Sequence, residues 1–366
     1  MQSINCKYYR GNKPCGFHKK HGVLCKCKYF EDFGKKILIV KIGAKGDVLR
    51  TTPILTSIKR AYPKSFITWV TDKEAMPLLE NNTLIDVILP YDTETVARLM
   101  TEEFDIVYSL DKEHKASGLA MIVRAKEKKG SGLSKYGNCY PLNKEADYWF
   151  QLGLNDKLKF KINKKTYHEW TAEAVGLPYD RKKDRIIFNL TKEEKEEAKK
   201  LLKKNSKKLV GINPGCNPAF LPNRRWSTKN FAKLIDAVDA KFVLFGGKSE
   251  IERNNEIIAR VKNKGRVIDM TNKTTLRQLG ALIDLCDVIV SAVSLAVNIA
   301  FALNKYTVVL IGQTEPAEID IYDRGAIVVT KAKCAPCYRN NCKKTECIDK
   351  IDFNEVLEAV NRGLNK

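Results

Sequence analysis

Residues 36–53, KILIVKIGAKGDVLRTTP, constrain the fold more than any other part of the chain, because they join a buried strand to a turn and a helix. The apolar run at residues 37–40 is continuous, which is typical of a parallel strand covered on both faces. Gly43 and Gly46 permit a tight turn, and helical apolar spacing follows it. Asp47 is therefore predicted to lie at or near a helix N-terminus, at one edge of an α/β sheet.

The turn matches neither of two common phosphate-binding motifs. It lacks the Gly-Lys-Ser/Thr of a P-loop and the three spaced glycines of a dinucleotide fingerprint. Open α/β folds bind ligands at the carboxyl ends of their parallel strands, and Asp47 is placed there to act as a general base. The alternative is that Asp47 only caps the helix.

Several later motifs extend this pattern over most of residues 36–360. They are LVGINPG at 209–215, RRW at 224–226, FGGKSE at 245–250 and IGQTEPAEIDIYDRG at 311–325. Together with the GAKGD turn, they resemble glycosyltransferase family 9, the heptosyltransferase-like enzymes. The resemblance implies an α/β fold in the GT-B arrangement, with two Rossmann-like doubly wound domains facing a cleft. It also implies inverting transfer of a sugar from a nucleotide diphosphate.

The domain organisation predicted from the sequence has three parts. Residues 1–34 form a cysteine-rich appendage, residues 35–185 an acceptor-side domain and residues 186–366 a donor domain. Alternating strand and helix patterns support parallel sheets in both domains. The predicted strands are 36–42, 66–71, 87–90, 106–109, 125–130, 209–213, 241–245, 288–290 and 307–311.

The resemblance assigns roles to individual residues. Asp47 takes the position of the base that deprotonates the acceptor hydroxyl, and Arg224 takes that of a lysine facing the diphosphate. The alternative for Arg224 and its neighbour Arg225 is a pair of solvated arginines. The predicted donor-binding residues are Gly215, Arg224, Gly246, Gly247, Glu250, Ser294, Asn298 and Thr314.

The chain departs from the family pattern at residues 293–298, VSLAVN. The family typically has Asp-Ser/Thr-x-x-x-His here, so Val293 and Asn298 replace the aspartate and the histidine. Ser294 is retained, and a helix N-terminus can bind a pyrophosphate through backbone N–H groups alone. Recognition of sugar or ribose hydroxyls should differ, as in a transferase with an altered donor, a weak transferase or a non-catalytic relative.

The charge of the chain points to polyanionic partners. Its 65 Lys and Arg exceed its 43 Asp and Glu, for a net charge of +22. Nucleotide diphosphates (an ADP-sugar is favoured), a phosphorylated glycolipid or an anionic membrane face would suit it. Nucleic acid is not favoured, because the lysines are not interleaved with aromatics. No signal peptide pattern is present, and we expect a cytoplasmic protein, peripheral at the inner face of the membrane.

Eight of the eleven cysteines fall into two clusters, and thiolates in such spacing suit zinc or an iron–sulfur cluster with a structural role. The alternatives are free cysteines, or disulfides if the source is a hyperthermophile. No cofactor is expected for catalysis. The candidate ligands are Cys6, Cys15, Cys25 and Cys27 in the first cluster and Cys334, Cys337, Cys342 and Cys347 in the second.

The leading hypothesis is a glycosyltransferase that moves a sugar, with heptose as a candidate, to a glycan or glycolipid acceptor. One alternative is a catalytically silent family member that binds carbohydrate or a protein partner. The other is a metal-dependent nucleic-acid-binding protein built around the cysteine clusters.

Overall fold

The N-terminal half of the chain forms a six-stranded sheet. A computed structural model describes residues 3–202, 208–216, 224–339, 342 and 346–366. The first sheet consists of β1 Lys36–Val40, β2 Phe66–Thr71, β3 Val87–Pro90, β4 Glu103–Ser109, β5 Arg124–Leu133 and β6 Cys139–Pro141. Their order is β3-β2-β1-β4-β5-β6, and only β6 runs antiparallel to its neighbour. The helices are α1 Gly16–His21, α2 Lys45–Arg50, α3 Ile54–Ala61, α4 Thr93–Thr101, α5 His114–Ile122, α6 Asp147–Leu154 and α7 Tyr167–Ala174.

The C-terminal half repeats this strand order. Its strands are β7 Leu209–Asn213, β8 Lys241–Leu244, β9 Val267–Asp269, β10 Val288–Ala292, β11 Tyr306–Ile311 and β12 Gly325–Val329. The order β12-β11-β10-β7-β8-β9 is parallel throughout. The helices are α8 Lys192–Leu202, α9 Thr228–Ala237, α10 Ile251–Arg260, α11 Leu276–Leu285, α12 Leu295–Ala302, α13 Glu346–Asp349 and α14 Phe353–Leu364.

The two halves face each other and share apolar packing. Ile186 and Phe188, in the connection between them, are buried in one core cluster with residues of α2, α3, α11 and α12. Both sheets are doubly wound, so the strand order reverses beside the first strand of each sheet, where such folds bind ligands. The predicted GT-B arrangement of two Rossmann-like units is confirmed.

The predicted strands occur, but the short edge strands β6, β9 and β12 were not predicted. All three have three to five residues and are mostly half-buried. β6 and β9 are too short for the continuous apolar run that identified the central strands, whereas β12 has such a run, AIVV at residues 326–329, and could have been predicted. The helix predicted after the GAKGD turn is divided. It stops at Arg50 and restarts at Ile54, with Pro53 as the N-cap of α3, because proline lacks the N–H of a helix interior.

The N-terminal appendage has a small aromatic cluster of its own. The Phe17 ring stacks on Tyr29 with centroids 4.4 Å apart and meets Tyr8 edge-on at 4.8 Å. A β-bridge joins Cys6 to Asp32 and closes the segment. Within the described ranges, no helix combines the length and apolar character that a membrane span requires.

Candidate active site

Asp47 lies in the first turn of α2, where its carboxylate is not used as a helix cap. The N-cap is Ala44, which has no side-chain cap, and Asp47 is the third helical residue rather than the cap itself. The Asp47 side chain is 41% exposed, and its Oδ1 lies 2.9 Å from Arg50 Nε. The carboxylate therefore remains accessible from the cleft while one oxygen is held by a cation.

Arg50 was not predicted, although it lies three residues after Asp47 on the same helix. Its guanidinium is 3.6 Å from the centre of the Tyr167 ring, and the Tyr167 hydroxyl is 3.0 Å from Thr51 Oγ1. Burial works against the charged form, but Asp47, Tyr167 and Glu318 raise the pKa of Arg50 above its ordinary value. Arg50 is thus a fixed cation beside the candidate base.

A buried ion pair lies behind this turn, between the carboxyl ends of β1 and β4. Lys41 Nζ is 3.1 Å from Asp111 Oδ1, and the two side chains are 4% and 9% exposed. Asp111 Oδ2 also accepts from the backbone N–H groups of Ile42 and Gly43, both at 3.1 Å. Burial works against the ammonium, yet Tyr167 and Asp111 raise the pKa of Lys41. This pair fixes the backbone just before the GAKGD turn.

Arg224 approaches the same region from the C-terminal unit. Its half-buried guanidinium is 5.6 Å from the centre of the Tyr338 ring. Burial lowers the pKa of Arg224, and the positive charge of Arg50 lowers it further. The pKa values of both arginines also respond to Glu318 and Tyr338, so the two cations belong to one electrostatic site although they come from different units.

Tyr338 joins the two units beside Arg224. Its backbone has φ +49°, a conformation that costs energy in a bulky residue. Its hydroxyl donates to Glu318 Oε2 at 3.0 Å, and its ring stacks on Phe160 with centroids 5.9 Å apart. Lys159 Nζ is 4.1 Å from the centre of the same ring and 3.4 Å from Glu318 Oε1. A strained residue held by contacts from both units is typical of a functional site.

The predicted residues Gly215, Gly246, Gly247 and Glu250 lie together at the carboxyl ends of β7 and β8. Glu250 Oε2 accepts from Gly247 N at 2.9 Å, and Oε1 accepts from Ser249 Oγ at 2.7 Å. A Cβ at Gly215 would lie 2.2 Å from Glu250 Cγ, and Gly246 has φ +158°. The glycines are therefore required for close packing around this carboxylate.

Ser294 is the N-cap residue of α12 but makes no side-chain cap. Its Oγ lies 3.0 Å from Ser291 Oγ and 3.3 Å from Asn213 Nδ2, so three neutral polar groups meet between the ends of β7 and β10. Val293 beside them packs against the core. Thr314, also a predicted donor-binding residue, is 2% exposed.

The structure brings Asn298 to the GAKGD turn that carries Asp47. Its Nδ2 donates to the Gly46 carbonyl at 2.9 Å, across the cleft from α12 to α2. The sequence alone could not reveal this contact, since 252 residues separate the partners.

The predicted metal clusters have different surroundings. Burial raises the pKa of the Cys347 thiol, and Cys334, Cys337 and Cys342 raise it further, so the second cluster is electrostatically coupled. Across the described part of the chain, however, no three His, Cys, Asp or Glu side chains are grouped so that they could hold a metal ion. Metal binding at either cluster therefore stays a prediction.

With this geometry established, comparison with known proteins identifies the family. Residues 94–348 match the family model described as glycosyltransferase family 9 (heptosyltransferase). The chain belongs to glycosyltransferase family 9. Its sequence has Asp47 and Arg224 at the positions predicted for the base and for the cation, and it departs from the family pattern at residues 293–298.

Two relatives and one solved structure illustrate the similarity. A lipooligosaccharide heptosyltransferase 2 of Campylobacter jejuni is 29% identical over 170 residues, covering 44% of this chain and 53% of the relative. The match thus spans about half of that relative's length. A lipooligosaccharide heptosyltransferase 2 of Haemophilus ducreyi is 25% identical, covering 80% of this chain and 88% of the relative. The structure of ADP-heptose lps heptosyltransferase II of Escherichia coli aligns with a TM-score of 0.69 at 20% identity, over 90% of this chain and 98% of that one.

Proposed function

We propose that this family 9 member is an inverting glycosyltransferase that moves heptose from ADP-heptose to a lipopolysaccharide-core glycolipid. The observation that carries the proposal is the placement of Asp47 beside Arg50 on one side of the cleft, with Arg224 in the same electrostatic site from the other. A base and cations on opposite sides of a sugar are what an inverting displacement needs. The names of the similar heptosyltransferases support the choice of donor and acceptor.

In the proposed reaction, Asp47 takes the proton of an acceptor hydroxyl. The hydroxyl oxygen bonds to the anomeric carbon as the bond from that carbon to the diphosphate oxygen breaks, and the electron pair leaves with ADP. Attack opposite the leaving group inverts the anomeric configuration. Arg224 and the N-terminus of α12 oppose the negative charge that develops on the diphosphate.

Lys112 of the N-terminal unit supports the proposal of an anionic acceptor. Lys112 follows Asp111, and its Nζ lies 5.0 Å from the ring centres of both Trp149 and Phe150. Burial lowers the pKa of Lys112 to about 8. A partly desolvated ammonium over aromatic rings would favour an anionic glycolipid, in keeping with work at the cytoplasmic face of a membrane.

The decisive test measures both ADP binding and sugar transfer. Arg224→Ala should weaken ADP binding by about 1.5 to 3 kcal/mol, the range for a hydrogen bond to a charged group. Arg266→Ala is the control, since Arg266 pairs with Asp239 on the surface at 3.3 Å. ADP affinity that is the same in wild type and Arg224→Ala would rule out the role of Arg224. Wild-type protein that binds ADP-heptose but never transfers it would favour the catalytically silent alternative.

We further propose that the second cysteine cluster holds a structural zinc or iron–sulfur centre, supported by the C-x2-C-x4-C-x4-C spacing of its four cysteines. Elemental analysis of protein purified under reducing conditions should find metal that Cys334→Ser with Cys337→Ser removes. The pair Cys15→Ser with Cys27→Ser tests the first cluster separately. Metal-free protein whose cysteines all react with a thiol reagent would end the proposal.

A further inference from the structure

Asn298 connects the helix of the donor side to the turn that carries the candidate base. Its amide Nδ2 donates to the carbonyl of Gly46 at 2.9 Å, and Gly46 immediately precedes Asp47. The hydrogen bond crosses the cleft, because α12 belongs to the C-terminal sheet and α2 to the N-terminal one. The position of the Asp47 backbone therefore depends on a residue of the opposite unit.

The approach between these two helices is close. A Cβ at Gly46 would lie 3.3 Å from Asn298 Nδ2 and 3.7 Å from Leu295 Cα. Glycine at this position lets the first turn of α12 lie directly against the turn of α2. Any movement of α12 must then either carry Gly46 with it or break the hydrogen bond.

The α2 helix has little stability of its own. It has six residues, and isolated helices of fewer than about 12 residues are marginal in water. Its position is therefore set by contacts with other parts of the protein. At its C-terminal end Thr51 Oγ1 lies 3.0 Å from the Tyr167 hydroxyl. Near its N-terminal end Gly46 accepts from Asn298, and the exposed Lys45 pairs with Glu74 at 2.7 Å.

The other end of the connection is the proposed donor site. Ser294 lies four residues before Asn298, about 6 Å along the helix axis. An anion at the N-terminus of α12 and a hydrogen bond from its second turn thus act on the same short rigid element. Asn298 replaces the histidine of the family pattern, and its amide is directed at the catalytic turn.

We propose that Asn298 is a positioning residue that links donor binding at α12 to the placement of Asp47. This inference rests on the proposed function, because it concerns the turnover that Asp47 supports. Asn298 touches neither the acceptor proton nor the anomeric carbon. Its contribution should appear in kcat rather than in affinity for the nucleotide.

The test compares two replacements in the full-length protein. Asn298→Leu keeps the shape of the side chain but removes the N–H donor without adding a charge, and Asn298→Ala removes the whole amide. Both should lower kcat with ADP-heptose about 10-fold while the donor KM and the Kd for ADP stay within about twofold of wild type, because one uncharged hydrogen bond is lost. Asn304→Gly is the matched control. It removes an asparagine near the other end of α12, where φ is +57° and glycine is tolerated, and it should turn over normally.

Amide hydrogen exchange gives a readout that does not need turnover. In ligand-free protein, Asn298→Leu should speed exchange at residues 45–51 several-fold and leave β7 and β10 unchanged. Weaker ADP binding with normal kcat would overturn the proposal and return Asn298 to the donor site. Unchanged exchange at residues 45–51 would overturn it as well. If wild-type protein transfers no sugar, the proposed function fails, and the exchange result alone then decides whether Asn298 positions the turn.

Discussion

The two sheets have the same strand order but carry different side chains at their switch points. A switch point is the place beside the first strand of a sheet where the strand order reverses, between β1 and β4 or between β7 and β10. Between β1 and β4, the buried Lys41–Asp111 ion pair and two backbone N–H groups satisfy one another. Between β7 and β10, the neutral side chains of Asn213, Ser291 and Ser294 meet below a helix N-terminus. A paired set of charges has no capacity left for a ligand, whereas neutral donors at a helix N-terminus can receive an anion. Strand order locates the two crevices, and the residues at the strand ends support our proposal that the C-terminal crevice binds the donor.

The largest expected effect concerns stability and comes from breaking the N-terminal ion pair. Lys41→Met should lower the free energy of unfolding by about 3 to 5 kcal/mol, because it leaves the Asp111 carboxylate buried without its cation. Urea unfolding measures this change. Adding Asp111→Asn to Lys41→Met should recover part of the loss, since the amide still accepts from the N–H groups of Ile42 and Gly43. Asn213→Ala at the other switch point should cost far less, and equal costs at both points would remove the contrast.

The next largest effect concerns the proposed chemistry, which we assign to Asp47 on α2 rather than to the residues between β1 and β4. Asp47→Asn should lower kcat at least about 100-fold with the Kd for ADP nearly unchanged, since general bases contribute 10²–10⁴. Steady-state rates and calorimetric ADP binding measure the two quantities. Glu74→Gln is the control, because its carboxylate pairs with Lys45 of the same turn at 2.7 Å and is 78% exposed. Near-normal kcat in Asp47→Asn would leave Asp47 a partner of Arg50 and nothing more.

The third effect is a pH dependence of stability, and it comes from a contact between the two units. His168 is 6% exposed, its Nδ1 is 3.2 Å from the Tyr322 hydroxyl, and burial lowers its pKa to about 3. Between pH 6.5 and pH 3 the unfolded chain binds a proton at His168 that the folded chain does not, so stability falls as the pH falls through this window. The loss from pH 8 to pH 5 should be about 2 kcal/mol by urea unfolding.

The control for this pH effect is His168→Gln, which cannot gain the proton. Its stability should depend less steeply on pH between 8 and 5 than that of wild type. Identical pH profiles in the two proteins would show that other groups control acid stability.

The smallest effect concerns the C-terminal switch point. Ser294→Ala should weaken ADP binding by about 0.5 to 1.5 kcal/mol, the value of one uncharged hydrogen bond. The matched control is Ser117→Ala, which removes a serine that pairs with Ser131 at 2.8 Å in the N-terminal unit. Calorimetry should detect a change only in the first variant. An equal loss of ADP affinity in both variants would contradict the proposal that the C-terminal unit, rather than the N-terminal unit, binds ADP.

The fold was more predictable than the site. Central strands such as β1 and β7 follow from continuous apolar runs, because burial on both faces leaves no polar alternation. The three-residue edge strand β9 is too short for that signal, whereas β12 carries it at residues 326–329 and could have been predicted. The family pattern led to Asp47 and Arg224, whose roles stay predictions, but it could not show how their charges are held.

The residues that hold those charges come together only in the folded chain. Arg50 could have been found from its spacing of three residues after Asp47 on a helix. The Lys41–Asp111 pair joins positions 70 apart in sequence, and no local pattern indicates it. The same holds for Asn298, whose partner in the other unit can be identified only from the packed helices.

Because Tyr338 is next to Cys337 in the chain, its position should be sensitive to modification of nearby thiols. One peptide bond separates it from Cys337, whose backbone N–H donates to the Gln313 carbonyl at 3.1 Å. The aromatic wall beside Arg224 is thus built from a segment that contains the exposed thiol of Cys334. Under the proposed function, oxidation or alkylation of Cys334 or Cys337 should alter the wall beside Arg224 although neither cysteine touches the substrate. We therefore expect the apparent affinity for ADP to differ between preparations made with and without a reducing agent.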